Sequence, residues 1–318
     1  MPSAPSGDAI RRVAVVGTGF IGMGFALLFS RHGLEVRVYD ESSEALGTLR
    51  DRVRSELSVF EDAGLLMGEA RDSLLSRIEV ADSLAQAVAN AQYVQECVPE
   101  DLSIKRAAFQ AMEEHAAPDA ILASSASALG MSEIAANLRS PERCVVAHPT
   151  NPPHLLPLIE IVPGQRTNPA VVEAARSFLA RVGQEPIVLR REIFGFVLNR
   201  LQFALEREAF YLLREGVASV QDIDRAVSEG LGPRWAFTGP FMVEELNATS
   251  VRDDLTKFSE SIAEMVALLG PWEGPTAGDI DLVERGLAEE FRGRTRDGIY
   301  RWRAAGLLGL RAYKNSGS

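Results

Sequence analysis

Cross-linking and metal-binding residues are scarce in this sequence. Two cysteines and four histidines are spread over 318 residues. Cys97 and Cys144 each lie in an apolar, strand-like segment, which suits reduced core thiols and excludes a disulfide framework. The histidines show no paired spacing, which excludes a structural zinc site. No apolar run reaches about 18 residues, and no hydrophobic segment precedes Arg11 and Arg12, so neither a membrane span nor a signal peptide is expected and the cytoplasm is the expected location. Basic residues are outnumbered, 33 Lys and Arg against 44 Asp and Glu, for a formal net charge of −11. With no basic stripe to meet a phosphate backbone, nucleic acid is excluded as a partner, and a membrane surface is not expected either.

What the chain does have is apolar residues, 46% of the total, enough for one large core or two smaller ones. "VAVVG" (13–17) reads as a buried strand, "FIGMGFALLFSRHG" (20–33) as a helix stopped by Gly33, and "EVRVYD" (35–40) as the next strand. Further strands are expected at 78–81, 93–98, 120–125, 144–148, 158–162 and 186–190, most of them separated by helical segments. This alternation predicts an α/β fold with a doubly wound, mostly parallel sheet over residues 8–192. After Ile193 the pattern is helical without a convincing strand, so residues 193–318 are expected to form an all-helical domain. Its first helix, "FGFVLNRLQFALEREAFYLLREG", is apolar over more than half its circumference and needs a cover, from its own domain or from a second subunit; a homodimer through the helical domain is the expectation.

The first strand ends in Gly17-Thr18-Gly19-Phe20-Ile21-Gly22, a G-x-G-x-x-G turn that opens a helix. Gly17 permits the tight turn, Gly19 lets the backbone approach a pyrophosphate, Gly22 allows close helix packing, and the helix N-terminus faces the anion. This is the setting of a Rossmann-type dinucleotide site, with Gly17, Gly19, Phe20, Ile21 and Gly22 as expected cofactor contacts. Asp40 ends the second strand 18 positions after Gly22, where a carboxylate accepts hydrogen bonds from an adenosine ribose. No Arg or Lys follows it. Like charges about 4 Å apart repel by roughly 4 kcal/mol at an effective dielectric of 20, so a 2′-phosphate is disfavoured and NAD is expected over NADP.

Other polar residues stand where apolar ones are expected. Glu160 interrupts "LIEIV", and an unpaired buried carboxylate is too costly for a core strand. His148, at the end of "CVVAH", is the candidate partner across the proline-rich link "PTNPPHLLP". Paired, the carboxylate fixes the imidazole tautomer and frees the other nitrogen for proton transfer; unpaired, His148 is a core histidine bonded to a carbonyl and Glu160 an edge residue. Ser127 follows the strand "ILASS" at the ligand edge of the sheet. Asn199, inside the apolar helix, either faces out with Gln202 and Glu206 or points at a partner. Glu100 and Lys105, in "CVPEDLSIK", either reach the cofactor or complement a helix N-terminus and solvent. His32, His115 and His154 read as structural or exposed.

In order along the chain, "GTGFIG", "VQECVPEDL", "SSAS", "AHPTNPP", "PLIEIVP", "GFVLNRLQ", "SEGLG" and "FTGP" resemble the 3-hydroxyacyl-CoA dehydrogenase superfamily, most closely its lambda-crystallin and L-gulonate 3-dehydrogenase branch. The resemblance implies a His–Glu acid–base pair at His148 and Glu160, and a catalytic serine and asparagine at Ser127 and Asn199 that also contact substrate. It further implies cofactor contacts at Glu100 and Lys105. Ala126 and Thr150 depart from the pattern, where threonine and valine are usual. In "GLGPRWAFTGP" an arginine followed by an aromatic resembles the gulonate and carnitine dehydrogenases, so Arg234 either is buried at the domain interface and binds a substrate carboxylate, as the resemblance implies, or is a helix-terminal arginine in solvent. The implied activity is NAD-dependent oxidation of a small 3-hydroxy acid to the 3-oxo acid, with L-gulonate ranked above carnitine. A 3-hydroxyacyl-CoA dehydrogenase is the alternative within the class, and a catalytically silent, crystallin-like NAD-binding protein the alternative outside it.

Overall fold

The computed structural model describes residues 7–316 except 63–65, 67–68 and 271–273. Eight strands form one sheet: β1 (Arg12–Val16), β2 (Glu35–Tyr39), β3 (Ile78–Val80), β4 (Tyr93–Glu96), β5 (Ile121–Ser124), β6 (Cys144–Pro149), β7 (Leu158–Pro163) and β8 (Glu185–Val188). Their order is β3-β2-β1-β4-β5-β6-β7-β8. Neighbours are parallel except for β6 and β7, which pair antiparallel. The exception has a simple cause. A parallel connection needs about a dozen residues or more, and the link 150–157 is too short for one, so the chain turns back beside β6.

Strand alternation divides the core between the two faces. Val13 and Val15 point into a layer with Phe25, Phe29 and Phe178, while Ala14 and Val16 point into the opposite layer with Phe109, Met112 and Phe196. The strand order reverses between β1 and β4, which sets the ligand crevice at their carboxyl ends.

The chain divides into two compact units, Met1–Asn199 with Tyr300–Ser318, and Arg200–Ile299. A single boundary near Ile193 therefore misses the last helix, Arg296–Ser316, whose residues from Tyr300 onward belong to the sheet unit. Its stripe of Tyr300, Ala304 and Leu308, spaced four apart, packs in the same layer as Phe29 and Phe178.

The second unit is helical. Ser219, Ser250 and Thr276 cap three of its helices with their hydroxyls, and Arg214 grips buried Asp279 with its Nε 2.6 Å from Oδ1. A π-helical turn, Ala226–Leu231, precedes Pro233. Proline there cannot donate to the carbonyl of Glu229, so the ordinary i→i−4 ladder does not close.

Candidate active site

The glycine-rich turn lies at the switch point. Gly17 has φ +92°, and a Cβ there would sit 2.6 Å from the carbonyl oxygen of Cys97, at the exit of β4. A Cβ on Gly22 would fall on the carbonyl of Gly17, whereas one on Gly19 would meet nothing within 4 Å. The open face at Gly19, at the start of helix Phe20–Arg31, is what a pyrophosphate needs. Asp40 is tied into the turn: Oδ2 accepts from Thr18 N at 2.6 Å and Thr18 Oγ1 at 3.0 Å, and Oδ1 from Ser42 N at 2.9 Å. Two carboxylate oxygens offer about four acceptor sites, so one is left for a ribose hydroxyl. The residues present fit a dinucleotide. Thr18 lacked any signal beyond its place inside the motif.

His148 and Glu160 face each other across β6 and β7 as a register pair. His148 Nδ1 is 2.7 Å from Glu160 Oε2, with 5% of His148 and none of Glu160 exposed. The other oxygen, Oε1, accepts from Val197 N at 2.8 Å and Leu198 N at 3.0 Å, free donors at the start of helix Leu198–Arg214. Gly195 and Phe196 aim those amides with successive positive φ values of 75° and 49°. For phenylalanine that conformation costs of order 1–3 kcal/mol, offset by complete burial of a ring whose centroid lies 5.6 Å from that of His148. Burial pushes the Glu160 carboxyl up. The hydrogen bonds from His148, Leu198 and Val197 outweigh it and hold the group below the usual carboxylate range. An ionised Glu160 on Nδ1 leaves Nε2 of His148 to accept a proton.

Ser127 is held from both sides: its amide donates to Glu100 Oε1 at 2.8 Å, and its carbonyl accepts from Asn199 Nδ2 at 3.0 Å. Asn199 therefore points at a partner and not at solvent. Lys105 is 1% exposed, and its Nζ reaches Glu96 Oε1 at 2.9 Å, Val98 O at 3.2 Å and Glu100 Oε2 at 3.4 Å. The expected cofactor contacts Glu100 and Lys105 thus have polar atoms committed to protein. Glu96 was not anticipated. It is fully buried, accepts from Ser124 Oγ at 2.5 Å and from Val98 N at 2.7 Å, and is pushed up by burial despite Lys105. Its signal is present in "YVQECV", where two polar residues interrupt an apolar strand.

Arg234 lies in the helical unit, on the short helix Gly232–Trp235, and is exposed, not buried as expected. Among the described residues no group of three His, Cys, Asp or Glu forms a metal site, and no helix is long and apolar enough to cross a membrane.

Residues 12–193 match the NAD-binding domain of 3-hydroxyacyl-CoA dehydrogenase, and residues 195–262 match its C-terminal domain. A lambda-crystallin homolog from Homo sapiens is 38% identical over 260 residues, covering 81% of this chain and 82% of that protein. An L-carnitine dehydrogenase from Pseudomonas putida is 37% identical over 315 residues, covering 96% and 95%. Among solved structures, 5-formyl-3-hydroxy-2-methylpyridine 4-carboxylic acid 5-dehydrogenase, an NAD-dependent dismutase, superposes with a TM-score of 0.80 at 28% identity, covering 95% of this chain and 97% of that one. The dinucleotide turn at the switch point and the match that continues through both domains have one reading: the chain belongs to the 3-hydroxyacyl-CoA dehydrogenase family and is an NAD-dependent oxidoreductase.

Proposed function

We propose that the protein oxidises the 3-hydroxyl of a small free 3-hydroxy acid, of the L-gulonate type, to the 3-oxo acid, with His148 and Glu160 as the acid–base pair. The observation that carries this reading is the 2.7 Å contact from His148 to a Glu160 whose second oxygen is held by two amides. Bound NAD would supply the hydride acceptor for C3. His148 Nε2 takes the hydroxyl proton, and Glu160 keeps the ring oriented and balances the imidazolium charge. The Ser127 hydroxyl and the second Nδ2 hydrogen of Asn199 bind the reacting oxygen as it becomes a carbonyl. Gly17, Gly19, Phe20, Ile21 and Gly22 would hold the cofactor's pyrophosphate, and Asp40 would take its ribose.

A free acid is favoured over a CoA ester by the surface that CoA phosphates would need. The candidates to meet such phosphates are Arg52, Arg54, Arg71 and Arg77, and three of them are already paired: Arg54 with Asp51 at 2.9 Å, Arg71 with Glu61 at 3.0 Å and Arg77 with Glu69 at 2.6 Å. Arg52 donates to the carbonyl of Ala45. Arg234 is the proposed carboxylate anchor, since an exposed guanidinium takes a carboxylate bidentately; Trp235 and Phe237 offer aromatic faces should the acid carry a cation, as carnitine does. In the helical unit Phe241 is 81%, Leu246 68%, Met265 68% and Leu268 78% exposed. A second copy of the chain is the proposed cover.

The test is NADH formation at alkaline pH with L-gulonate, carnitine, 3-hydroxybutyrate and 3-hydroxybutyryl-CoA. Turnover of a free acid with the ester inert is the expected result; turnover of the ester alone overturns the substrate assignment. NADH binding without turnover on any of them leaves the crystallin-like alternative.

A further inference from the structure

We propose that Glu100 is a positioning residue that sets the place of Ser127, and that the buried Glu96–Lys105 pair is the foundation that holds Glu100. The inference rests on the reading above, in which Ser127 touches the reacting oxygen. Three consecutive amides converge on Glu100 Oε1: Ser127 at 2.8 Å, Ala128 at 3.0 Å and Leu129 at 3.4 Å. Successive N–H groups turned toward one point form a nest for an anion, and here a carboxylate of the chain itself fills it. The loop that carries Ser127 is thereby pulled onto the end of β4, while Asn199 holds the Ser127 carbonyl from the other side.

Helix capping does not account for Glu100. The helix Leu102–His115 is capped by Asp101, whose side chain accepts from Ser103 N and Ile104 N. Nor is Lys105 available to a ligand: an ammonium has three donors, and its polar neighbours are Glu96, Val98 O and Glu100. Lys105 instead fixes the free oxygen of Glu100. Glu96 fixes Lys105 and also takes the hydroxyl of Ser124, which in turn accepts from the amide of Ala126. The result is a continuous line from Ser124 through Glu96, Lys105 and Glu100 to the amide of Ser127, so the residue next to the chemistry is located by charges that never meet substrate. A misplacement of about 1 Å costs on the order of 10²-fold in rate, so a clamp of this kind acts on turnover without touching a reactant.

The test uses the full-length protein with the best free acid from the panel, and compares Glu100→Ala, Glu100→Gln, Ser127→Ala and the double variant E100A/S127A. NADH affinity is read by fluorescence titration alongside kcat. Glu100→Ala is expected to lower kcat by about 10- to 100-fold with NADH affinity within about twofold of wild type. Glu100→Gln, whose amide oxygen still accepts from Ser127 and Ala128 but whose NH2 cannot accept from Lys105, is expected to recover only part of that loss. In the Ser127→Ala background, Glu100→Ala is expected to add little, because the two act through one group. A loss of NADH affinity of about tenfold or more in Glu100→Ala overturns the proposal in favour of a cofactor contact. So does an undiminished effect of Glu100→Ala in the Ser127→Ala background. If Ser127→Ala alone leaves kcat unchanged, the assigned role of Ser127 fails, and the NADH affinity of Glu100→Ala still decides whether Glu100 meets the cofactor.

Discussion

The histidines of two His–Glu pairs lie within one short stretch of this chain, and the pairs differ in what can reach them. His148 meets Glu160 at 2.7 Å, and His154, six positions later, meets Glu56 at 3.2 Å. His154 is 0% exposed, its Nδ1 is buried with no hydrogen-bond partner, and Tyr300 from the last helix also donates to Glu56 Oε2, at 3.0 Å. That imidazole has no nitrogen that a substrate can reach. His148 sits at the ligand edge with a small exposed area, and Nε2 is not spent on its glutamate. A carboxylate–imidazole contact is therefore not by itself a sign of catalysis; access to the far nitrogen is what separates the two. The largest expected effect follows. His148→Ala lowers kcat by roughly 10²–10⁴-fold with NADH affinity retained, measured by steady-state kinetics and fluorescence titration. Turnover near the wild-type level removes the distinction between the pairs.

His154→Leu sharpens the comparison from the other side. It removes a hydrogen bond from a glutamate whose side chain is 13% exposed, and leaves that group dependent on Tyr300. A loss of about 1–3 kcal/mol in stability is expected, read as a lowered urea midpoint, with kcat changed by less than about threefold below the unfolding transition. A kcat loss comparable with that of His148→Ala, at full stability, means that His154 takes part in the reaction and that burial has misled.

The sheet was legible because its strands carry the pattern themselves, short apolar runs each closed by polar or glycine residues; the antiparallel turn of β7 beside β6 was not among those readings. The cost of a carboxylate inside "LIEIV" called for a partner or an exposed edge; it was the family resemblance that named His148 as that partner, and the register of β6 and β7 brings the two together. Less was readable where the outcome depends on contacts distant in sequence. The apolar stripe of the last helix shows that it packs, but not that Tyr300 reaches Glu56 across 244 positions. The spacing of "CVPEDLSIK" brings Glu100 and Lys105 to the ligand edge, yet whether they meet a cofactor or a loop depends on where the Ser127 turn lies. Arg234, placed at a buried interface by the resemblance alone, is exposed on the short helix Gly232–Trp235. Asn199 stood between two directions that periodicity weighs equally, and the carbonyl of Ser127 decided it.

The smallest expected effect concerns acid. Glu160 has its carboxyl held below the ordinary value of about 4.3 by His148 and two amides. A depressed folded-state value means that ionised Glu160 contributes stability fully above its unfolded value, and that this contribution disappears as pH falls through the lower, folded one. Between about pH 5 and pH 3 the urea midpoint of the wild type is therefore expected to fall more steeply than that of Glu160→Gln, which has no proton to gain. His148→Ala is expected to lie between them, because it removes one of the three hydrogen bonds that depress the carboxyl and keeps the two from Val197 and Leu198. Parallel curves for the wild type and Glu160→Gln would mean that the amides and the imidazole do not favour the charged form, and the base assigned to His148 would lose the negative charge that orients it.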